Sequence, residues 1–379
     1  MRNQITDALL YFPAVFAVDT EYQILLPFAA EAIVRVEVGD REFYDDTCGV
    51  LRSKDLIHRV HIPSALLDEA KEYTVVYRKI IERKAYFPEM EEETRLTFDF
   101  RPIPTDRAIQ IYHLSDTHNM VEEPVAASQY FGSETDLLIL NGDIPNHAGK
   151  HEHLETVFKL ASAIAKGNIP ILCSRGNHDT RGLCAEDFLK YIPHKNRKTY
   201  YTVRLGNLWA LILDCGEDKN DDHEEYGGTV CFHPFRLAET EFIKDVVKNA
   251  EKEYQAEGVE HRLVICHIPF TFSKLQDPFD IEKELYAEWS RILRDEIKPE
   301  LMICGHRHLS EIWEVGGKND TYGQACPVIV GSRPIRHKET KEKEFIGCAI
   351  TLDKRKAKVI FNHHSGNVVS ECELNLRED

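Results

Sequence analysis

The sequence predicts an α/β domain that follows a smaller all-β region. Three observations support this prediction. Short strand-like runs separated by turn residues occupy residues 1–104, and from residue 108 onward strands alternate with helical segments. Five of the later apolar runs are also followed directly by residues of the types that bind metals, Asp, Asn and His. The carboxyl ends of buried neighbouring strands lie close together in such a fold, so these side chains are expected to meet.

The first region has the pattern of a small β-sandwich. Its strand-like runs are bounded by Gly, Asp, Glu and Pro, which favour turns. An acidic stretch at residues 88–93 is predicted to be a solvated hairpin loop, and Pro102 and Pro104 mark the end of the region. The predicted strands cover residues 9–18, 22–28, 32–38, 57–62, 73–77 and 96–100.

The second region, residues 105–379, is predicted to form the α/β domain. Predicted helices cover residues 153–166, 185–191, 237–257 and 281–296. The five strands that precede metal-ligand residues cover residues 109–115, 137–141, 169–174, 263–266 and 301–304. Later strands are predicted at residues 311–315, 327–330, 345–352, 357–361 and 368–374, with a tight turn at residues 353–355.

Composition limits the class of partner. The formal net charge of −17 argues against binding of long nucleic acids, because that affinity comes mostly from Lys and Arg on phosphates. A small phosphorylated substrate stays compatible with this charge, since bound divalent metals reverse the local field. The ten cysteines form no Cys-x-x-Cys pair, and no apolar stretch reaches membrane-spanning length. We therefore expect a cytoplasmic protein with reduced thiols and no membrane association.

Five short motifs contain the candidate metal-binding residues. Asp, His and Asn side chains suit divalent ions such as Mn, Fe or Zn, and there are too many donors for one tetrahedral zinc ion. Two ions that share a bridging carboxylate account for the set better, and such pairs catalyse displacement at phosphorus through a water deprotonated between them. The motifs are Asp116-Thr-His118, Gly142-Asp143, Gly176-Asn177-His178-Asp179, His267 and Gly305-His306-Arg307-His308.

The order of these motifs resembles that of the calcineurin-like metallophosphoesterases over residues 108–335. The resemblance implies a four-layer α/β/β/α sandwich and attack on a phosphomonoester or phosphodiester by a metal-bridging hydroxide. It implies that His178 contacts the phosphate and protonates the leaving oxygen, with Asp179 orienting it. The implied ligands are Asp116, His118 and His308 for one metal, Asn177, His267 and His306 for the other, and Asp143 as the bridge.

The N-terminal region is similar in layout to the fibronectin-III-like domain that precedes the catalytic domain of purple acid phosphatases. The strands at residues 57–62, 73–77 and 98–100 carry this similarity. Purple acid phosphatases have Gly-Asp-x-x-Tyr, where the tyrosinate binds ferric iron, whereas this chain has Asn146 in place of that tyrosine. The difference argues against a ferric–phenolate centre and favours Mn, Fe(II) or Zn.

Several further residues are candidates with two interpretations each. Asn119, Arg175 and His147 flank the motifs and are candidate substrate contacts, although hydrogen bonds to local backbone are the favoured interpretation of the first two and a position outside the pocket that of His147. The acidic loop, defined as residues 214–228, is either a solvated excursion or a mobile edge of the active site. His113 is predicted to be a packed core histidine.

An alternative function belongs to a different class of protein. A catalytically silent member of the same fold would act as a scaffold or binding protein, and we expect such a protein to have lost ligands or the equivalent of His178. The N-terminal region is interpreted as a packing module, with a homo-oligomer possible. The sequence contains no signature of the substrate.

Overall fold

The computed structural model describes residues 2–45, 49–336 and 342–376. It contains six α-helices in that part of the chain: α1 (Ser64–Ala70), α2 (Glu122–Ser128), α3 (His151–Leu154), α4 (Thr156–Ile164), α5 (Phe232–Lys248) and α6 (Lys283–Ile292). The strands are β1 (Ala14–Val18), β2 (Glu21–Pro27), β3 (Ala32–Val38), β4 (Arg41–Tyr44), β5 (Ile57–Pro63), β6 (Glu72–Glu82), β7 (Glu89–Met90), β8 (Thr94–Asp99), β9 (Ile109–Leu114), β10 (Leu137–Asn141), β11 (Ile171–Ser174), β12 (Tyr201–Leu205), β13 (Leu208–Leu213), β14 (His261–Cys266), β15 (Leu301–Cys304), β16 (Glu311–Trp313), β17 (Val328–Val330), β18 (Arg333–Arg336), β19 (Lys343–Asp353), β20 (Lys356–His363) and β21 (Val368–Asn375).

Two large sheets form the centre of the fold. In the ten-stranded sheet the order is β21-β20-β19-β9-β10-β11-β1-β2-β5, with β18 beside β19, and β9, β10 and β11 are parallel. In the six-stranded sheet the order is β12-β13-β14-β15-β17-β16, and β13, β14, β15 and β17 are parallel. The motif-bearing strands therefore lie side by side in two parallel blocks.

The two sheets pack face to face with helices outside them. One buried cluster contains side chains of both sheets, such as Ile139 and Ile265. The opposite face of the larger sheet packs on α2 and α4, and Phe158 of α4 is fully buried there. The opposite face of the smaller sheet packs on α5 and α6, where Trp289 is fully buried. The predicted four-layer α/β/β/α sandwich is confirmed.

The N-terminal region is an all-β unit that shares a layer with the larger sheet. A separate five-stranded sheet contains β3, β4, β6, β7 and β8. Its buried side chains, including Val34 and Phe98, join the same cluster as Val15 of β1 and Ile24 of β2. These two strands and β5 extend the ten-stranded sheet, because β1 pairs with β11 in parallel. The predicted boundary at residue 104 therefore does not separate two sheets.

Most later elements match their predicted positions, but several differ. Helices α1 and α2 and strands β12 and β13 were not predicted, residues 185–190 form a 3-10 helix, and the acidic stretch contains the short strand β7. The tight turn predicted between β19 and β20 is confirmed. Within the described residues no helix is both long and apolar enough to cross a membrane.

Helix α5 begins five residues before its predicted start, because the side chain of Asp221, earlier in the chain, caps its N-terminus. The carboxylate of Asp221 accepts hydrogen bonds from the backbone N–H groups of Phe232 and His233, at 2.8 and 2.9 Å. These are N–H groups that a helix start leaves without an intrahelical partner. The helix ends at Lys248, where the side chain of Asn249 turns back to the carbonyl of Asp245 at 2.7 Å.

Candidate metal centre

The polar side chains that follow β9, β10, β11, β14 and β15 meet at one edge of the two sheets. The alignment follows from the parallel pairing, which brings the carboxyl ends of neighbouring strands together. Three groups have ligand atoms within 4.8 Å of one another. These groups are Asp116, His118 and His308; His118, Asp143 and His178; and Asp116, Asp143 and His267.

Each of the two site carboxylates has one oxygen held by neighbouring donors. Oδ2 of Asp116 accepts hydrogen bonds from the Ser115 hydroxyl at 2.8 Å and from the backbone N–H of His306 at 2.9 Å. Oδ1 of Asp143 accepts from the backbone N–H of His178 at 2.8 Å. These contacts fix both carboxylates before any cation binds.

The other oxygen of each carboxylate faces the histidines. Oδ1 of Asp116 lies 3.2 Å from Nε2 of His308 and 3.9 Å from Nε2 of His267. Oδ2 of Asp143 lies 3.3 Å from Nε2 of His267 and 4.0 Å from Nε2 of His178. Asp143 also groups with His118, their ligand atoms lying within 4.8 Å of each other, so it adjoins a candidate ligand of each metal, as a bridging carboxylate requires.

The remaining predicted ligands complete two adjoining groups of donors. Nε2 of His118 lies 3.0 Å from Nε2 of His308, and Nδ1 of His306 lies 3.0 Å from Oδ1 of Asn177. Nδ1 of His267 is 2.7 Å from the carbonyl oxygen of Asn141, to which it donates, so Nε2 stays available to a metal.

The donor set fits divalent cations. Oδ1 of Asp116 and Nε2 of His267 are buried and have no hydrogen-bond partner among the described residues, although buried polar atoms are normally satisfied. A cation bound at each of these atoms would supply the missing interaction. Mixed carboxylate, imidazole and amide donors suit Mn, Fe or Zn.

The electrostatics of the cluster also favour positive charge at its centre. Burial lowers the pKa of His118 to about 4 and that of His306 to about 3, so both imidazoles are neutral and able to bind a metal at pH 7. Burial alone would raise the pKa of Asp116 and of Asp143, but the neighbouring histidines together outweigh it and lower both, with His267 the largest contributor. Burial opposes the charged form of His267, yet the two carboxylates raise its pKa to about 10. The two buried carboxylates therefore stabilise positive charge at the centre of the cluster, and a bound metal ion would provide that charge.

Close packing of loops at the strand ends requires glycine. Gly142 has a φ of +75°, and a Cβ there would lie 2.6 Å from the backbone nitrogen of Gly176 and 2.7 Å from Cγ of His267. Real Cβ atoms do not approach other atoms this closely. The glycine before Asp143 therefore lets the loops after β10, β11 and β14 converge.

His178 lies beside the ligands, but Asp179 does not orient it as predicted. Nδ1 of His178 donates to the carbonyl oxygen of Asn146 at 2.7 Å, which leaves Nε2 facing the cluster. Oδ2 of Asp179 instead accepts the backbone N–H groups of Asp143 at 3.1 Å and Gly176 at 2.7 Å. Its contribution is to join two ligand loops, and burial raises its pKa well above the usual value.

The three candidate substrate contacts have other partners in the structure. Arg175 forms an ion pair with Asp214 at 2.7 Å, between Nε and Oδ2, and its guanidinium lies over two phenyl rings. The Asn119 side chain accepts from the backbone N–H of Asn146 at 3.3 Å, and the exposed ring of His147 packs on His153. Substrate contact by these residues stays a prediction.

Sequence reasoning missed Asp218, which belongs to the acidic loop. Oδ2 of Asp218 lies 3.7 Å from Nε2 of His306, on the side of the ring away from Asn177. Glu217 is fully buried and pairs with Arg181 at 2.6 Å, so the first part of the loop, residues 214–217, is packed, whereas most of residues 220–228 are exposed. The available signal was the apolar run of β13, which ends at Leu213 and delivers this loop to the same edge as His267.

The prediction for His113 is confirmed. Its ring is fully buried in β9, and Nε2 lies 3.1 Å from the amide nitrogen of Asn141. Burial lowers its pKa to about 3. It supports the strand that carries Asp116 and has no place among the ligands.

Comparison with known proteins identifies the family. Residues 109–310, more than half of the 379-residue chain, match the family model described as calcineurin-like phosphoesterase. The chain belongs to the calcineurin-like phosphoesterase family. A search of curated protein sequences finds no match.

Two solved structures are similar to this chain in fold. A purple acid phosphatase from yellow lupin (Lupinus luteus) seeds aligns with a TM-score of 0.58 and 14% identity, over 96% of this chain and 74% of that one. The structure of PhoD aligns with a TM-score of 0.55 and 11% identity, over 97% of this chain and 93% of that one. At these identities the likeness concerns the fold alone.

Proposed function

We propose that this chain is a phosphoesterase that uses two divalent metal ions, Mn, Fe or Zn, to hydrolyse a phosphomonoester or phosphodiester. The observation that carries the proposal is the arrangement of Asp116 and Asp143. Each has one oxygen held by backbone or hydroxyl donors and the other directed at histidine nitrogens. Such an arrangement suits cation binding and has no evident purpose in packing alone.

The proposed ligands divide into two sets. Asp116, His118 and His308 would hold one ion, while Asn177, His267 and His306 would hold the other. Asp143 would be shared by both ions. When bound, the two ions would polarise the phosphoryl group and make water a nucleophile at neutral pH.

Two residues beside the ligands have further roles: His178 would protonate the leaving oxygen, and Asp179 holds the ligand loops in place. His178 faces the cluster through Nε2 because its Nδ1 donates to the carbonyl of Asn146. A proton on Nε2 is then positioned to pass to the leaving oxygen of the ester. Asp179 keeps the loops of Asp143 and Asn177 together through its two backbone hydrogen bonds.

A paired assay tests the proposal. Hydrolysis of an aryl phosphomonoester and of a bis-aryl phosphodiester is measured with Mn, Fe and Zn, together with the metal content of the protein. We expect turnover of at least one ester and about two metal ions per chain. A protein that binds metals but cleaves neither ester would instead be a catalytically silent scaffold.

The substitution Asp143→Asn should abolish turnover, since the bridge loses its charge. The matched control is Asp106→Asn, which changes an exposed carboxylate before β9. We expect full activity and metal content in the control and loss of both metal occupancy and turnover in the site variant. Equal activity in the two variants would refute the assignment.

A further inference from the structure

An aromatic cleft opens beside His306. Its lining includes Asp218, Phe272, Phe279, Tyr286, His306 and Arg307. His306 is a proposed metal ligand, so anything that fills the cleft lies next to a phosphate held at the metals. Apart from Asp218 and the motif residues His306 and Arg307, the cleft is formed by the segment after β14 and by the start of α6, which lie outside the five motifs.

The floor and the mouth of the cleft differ in exposure. Phe270 and Tyr286 are only 1% and 5% exposed, and they pack on each other with ring centroids 5.7 Å apart. Phe272 and Phe279 are half-buried at the mouth. A flat ring entering the cleft would therefore meet aromatic faces, which prefer offset-stacked or edge-to-face contact.

Two cations stand over the rings at the mouth. The guanidinium of Arg307 lies 5.1 Å from the centroid of Phe272, and Nζ of Lys274 lies 4.2 Å from that of Phe279. Nε of Arg307 is buried and has no hydrogen-bond partner among the described residues, an arrangement that is costly unless something else supplies an acceptor. Within the same part of the chain, neither cation forms an ion pair.

We propose that this cleft binds the organic group of the phosphoester. This group contains an aromatic ring and a further negatively charged substituent. The proposal rests on the phosphoesterase function proposed above and names the substrate class of that site. The rings supply stacking, and Arg307 and Lys274 supply donors for the extra anion. In a chain with a net charge of −17, two unpaired cations beside a metal centre mark a place for an anionic group.

Three esters with the same primary phosphate bond separate the contributions. Ribose 5-phosphate has neither an aromatic ring nor a second anionic group. Adenosine 5′-monophosphate adds the aromatic base, and adenosine 3′,5′-bisphosphate adds a second phosphate. We expect kcat/KM for cleavage at the 5′ position to rise about tenfold from the first to the second, in keeping with base stacking on aromatic side chains. A further rise is expected for the third.

Two variants assign these increments to side chains. Phe279→Ala should remove the preference for adenosine 5′-monophosphate over ribose 5-phosphate, while its matched control Tyr86→Ala, at an 81% exposed position, should keep it. Arg307→Gln should remove the preference for the bisphosphate and keep that for the base. The control for charge is Lys318→Gln at an exposed position.

The outcomes distinguish this inference from the proposed function. Equal kcat/KM for all three esters in the wild type and in Phe279→Ala would overturn the cleft assignment while leaving the phosphoesterase intact. If neither these esters nor the two aryl esters of the paired assay were cleaved, the proposed function would fail instead. Calorimetric binding of adenosine 3′,5′-bisphosphate to metal-free protein still tests the cleft, since equal binding by the wild type and Phe279→Ala contradicts it.

Discussion

Left-handed backbone conformations concentrate at the proposed metal ligands. Asp116, His118, Asp143, His306 and His308 have φ between +46° and +64°. Residues other than glycine rarely adopt this region, at a cost of roughly 1–3 kcal/mol each, and such strain persists only where the surrounding structure imposes it. The site is thus held in an unfavourable backbone geometry that directs the ligands toward one point.

At the residue scale, Asp218 is expected to position His306. A carboxylate on the second nitrogen of a ligating histidine fixes the ring and raises its basicity, and loss of such a group typically lowers metal affinity about 10–100-fold. Asp218→Asn should therefore weaken binding of one metal by that factor, measured by competition with a chelator. Asp222→Asn, in the same loop but exposed, is the control and should bind both metals normally.

His178 should affect the chemistry and not the metals. His178→Asn is expected to lower kcat for alkyl phosphates by about 10²–10⁴, the usual contribution of proton transfer. The loss should be much smaller for 4-nitrophenyl phosphate, whose leaving group needs no proton. Metal content is measured alongside. Equal losses for both esters, or loss of a metal, would show that His178 does not act as the proton donor.

At the scale of elements, the loops after the parallel strands converge only because small residues occupy their contacts. A Cβ on Gly176 would lie 2.3 Å from Oδ1 of Asp143, and one on Gly305 would lie 2.5 Å from the Ser115 hydroxyl oxygen. The backbone of each loop thus lies directly against the ligand-bearing residues of another strand. The glycines of the motifs contribute through packing between loops.

Gly142→Ala separates this steric effect from the conformational cost of a positive φ. Gly316 has a similar φ, +72° against +75°, and a Cβ there would have no atom within 4 Å. Gly316→Ala should lower the free energy of unfolding by about 1–2 kcal/mol, the cost of a left-handed residue. Gly142→Ala should cost more and also weaken metal binding, because the added Cβ overlaps His267. Thermal unfolding measures the first effect and metal titration the second.

At the scale of the whole molecule, three N-terminal strands complete the ten-stranded sheet. Phe16 of β1 is fully buried and opposes Ile171 of β11, while Val15 on the other face joins the cluster shared by both sheets and the N-terminal sheet. Removal of β1, β2 and β5 would expose the edge of β11 and one end of this cluster. Unpaired apolar edges promote aggregation.

A chain shortened to residues 105–379 should therefore fail to unfold cooperatively, although the family match lies within it. Unfolding is followed by circular dichroism and the oligomeric state by light scattering, with the full chain as reference. We expect aggregation or a non-cooperative transition. A cooperative transition at the temperature of the full chain would contradict the shared-sheet interpretation.

The candidate ligands and their positions at strand ends could be predicted from the sequence, through its motifs and their resemblance to a known family. Motifs such as Asp116-x-His118 and Gly305-His306-x-His308 are local, and the apolar runs before them specify buried strands whose ends must meet. The structure brought these residues together, with Asp143 between the two halves. Position along the chain was sufficient here because parallel pairing aligns the carboxyl ends of the strands.

Contacts between segments far apart in the chain could not be predicted from the sequence and are seen only in the folded structure. Asp221 as the cap of α5, Asp179 as the link between two ligand loops, and Asp218 beside His306 depend on how loops fold over the sheets. The membership of β1, β2 and β5 in the ten-stranded sheet has the same origin. Strand patterns record which face of a strand is buried but not which neighbour it pairs with, and that choice depends on packing over the whole core.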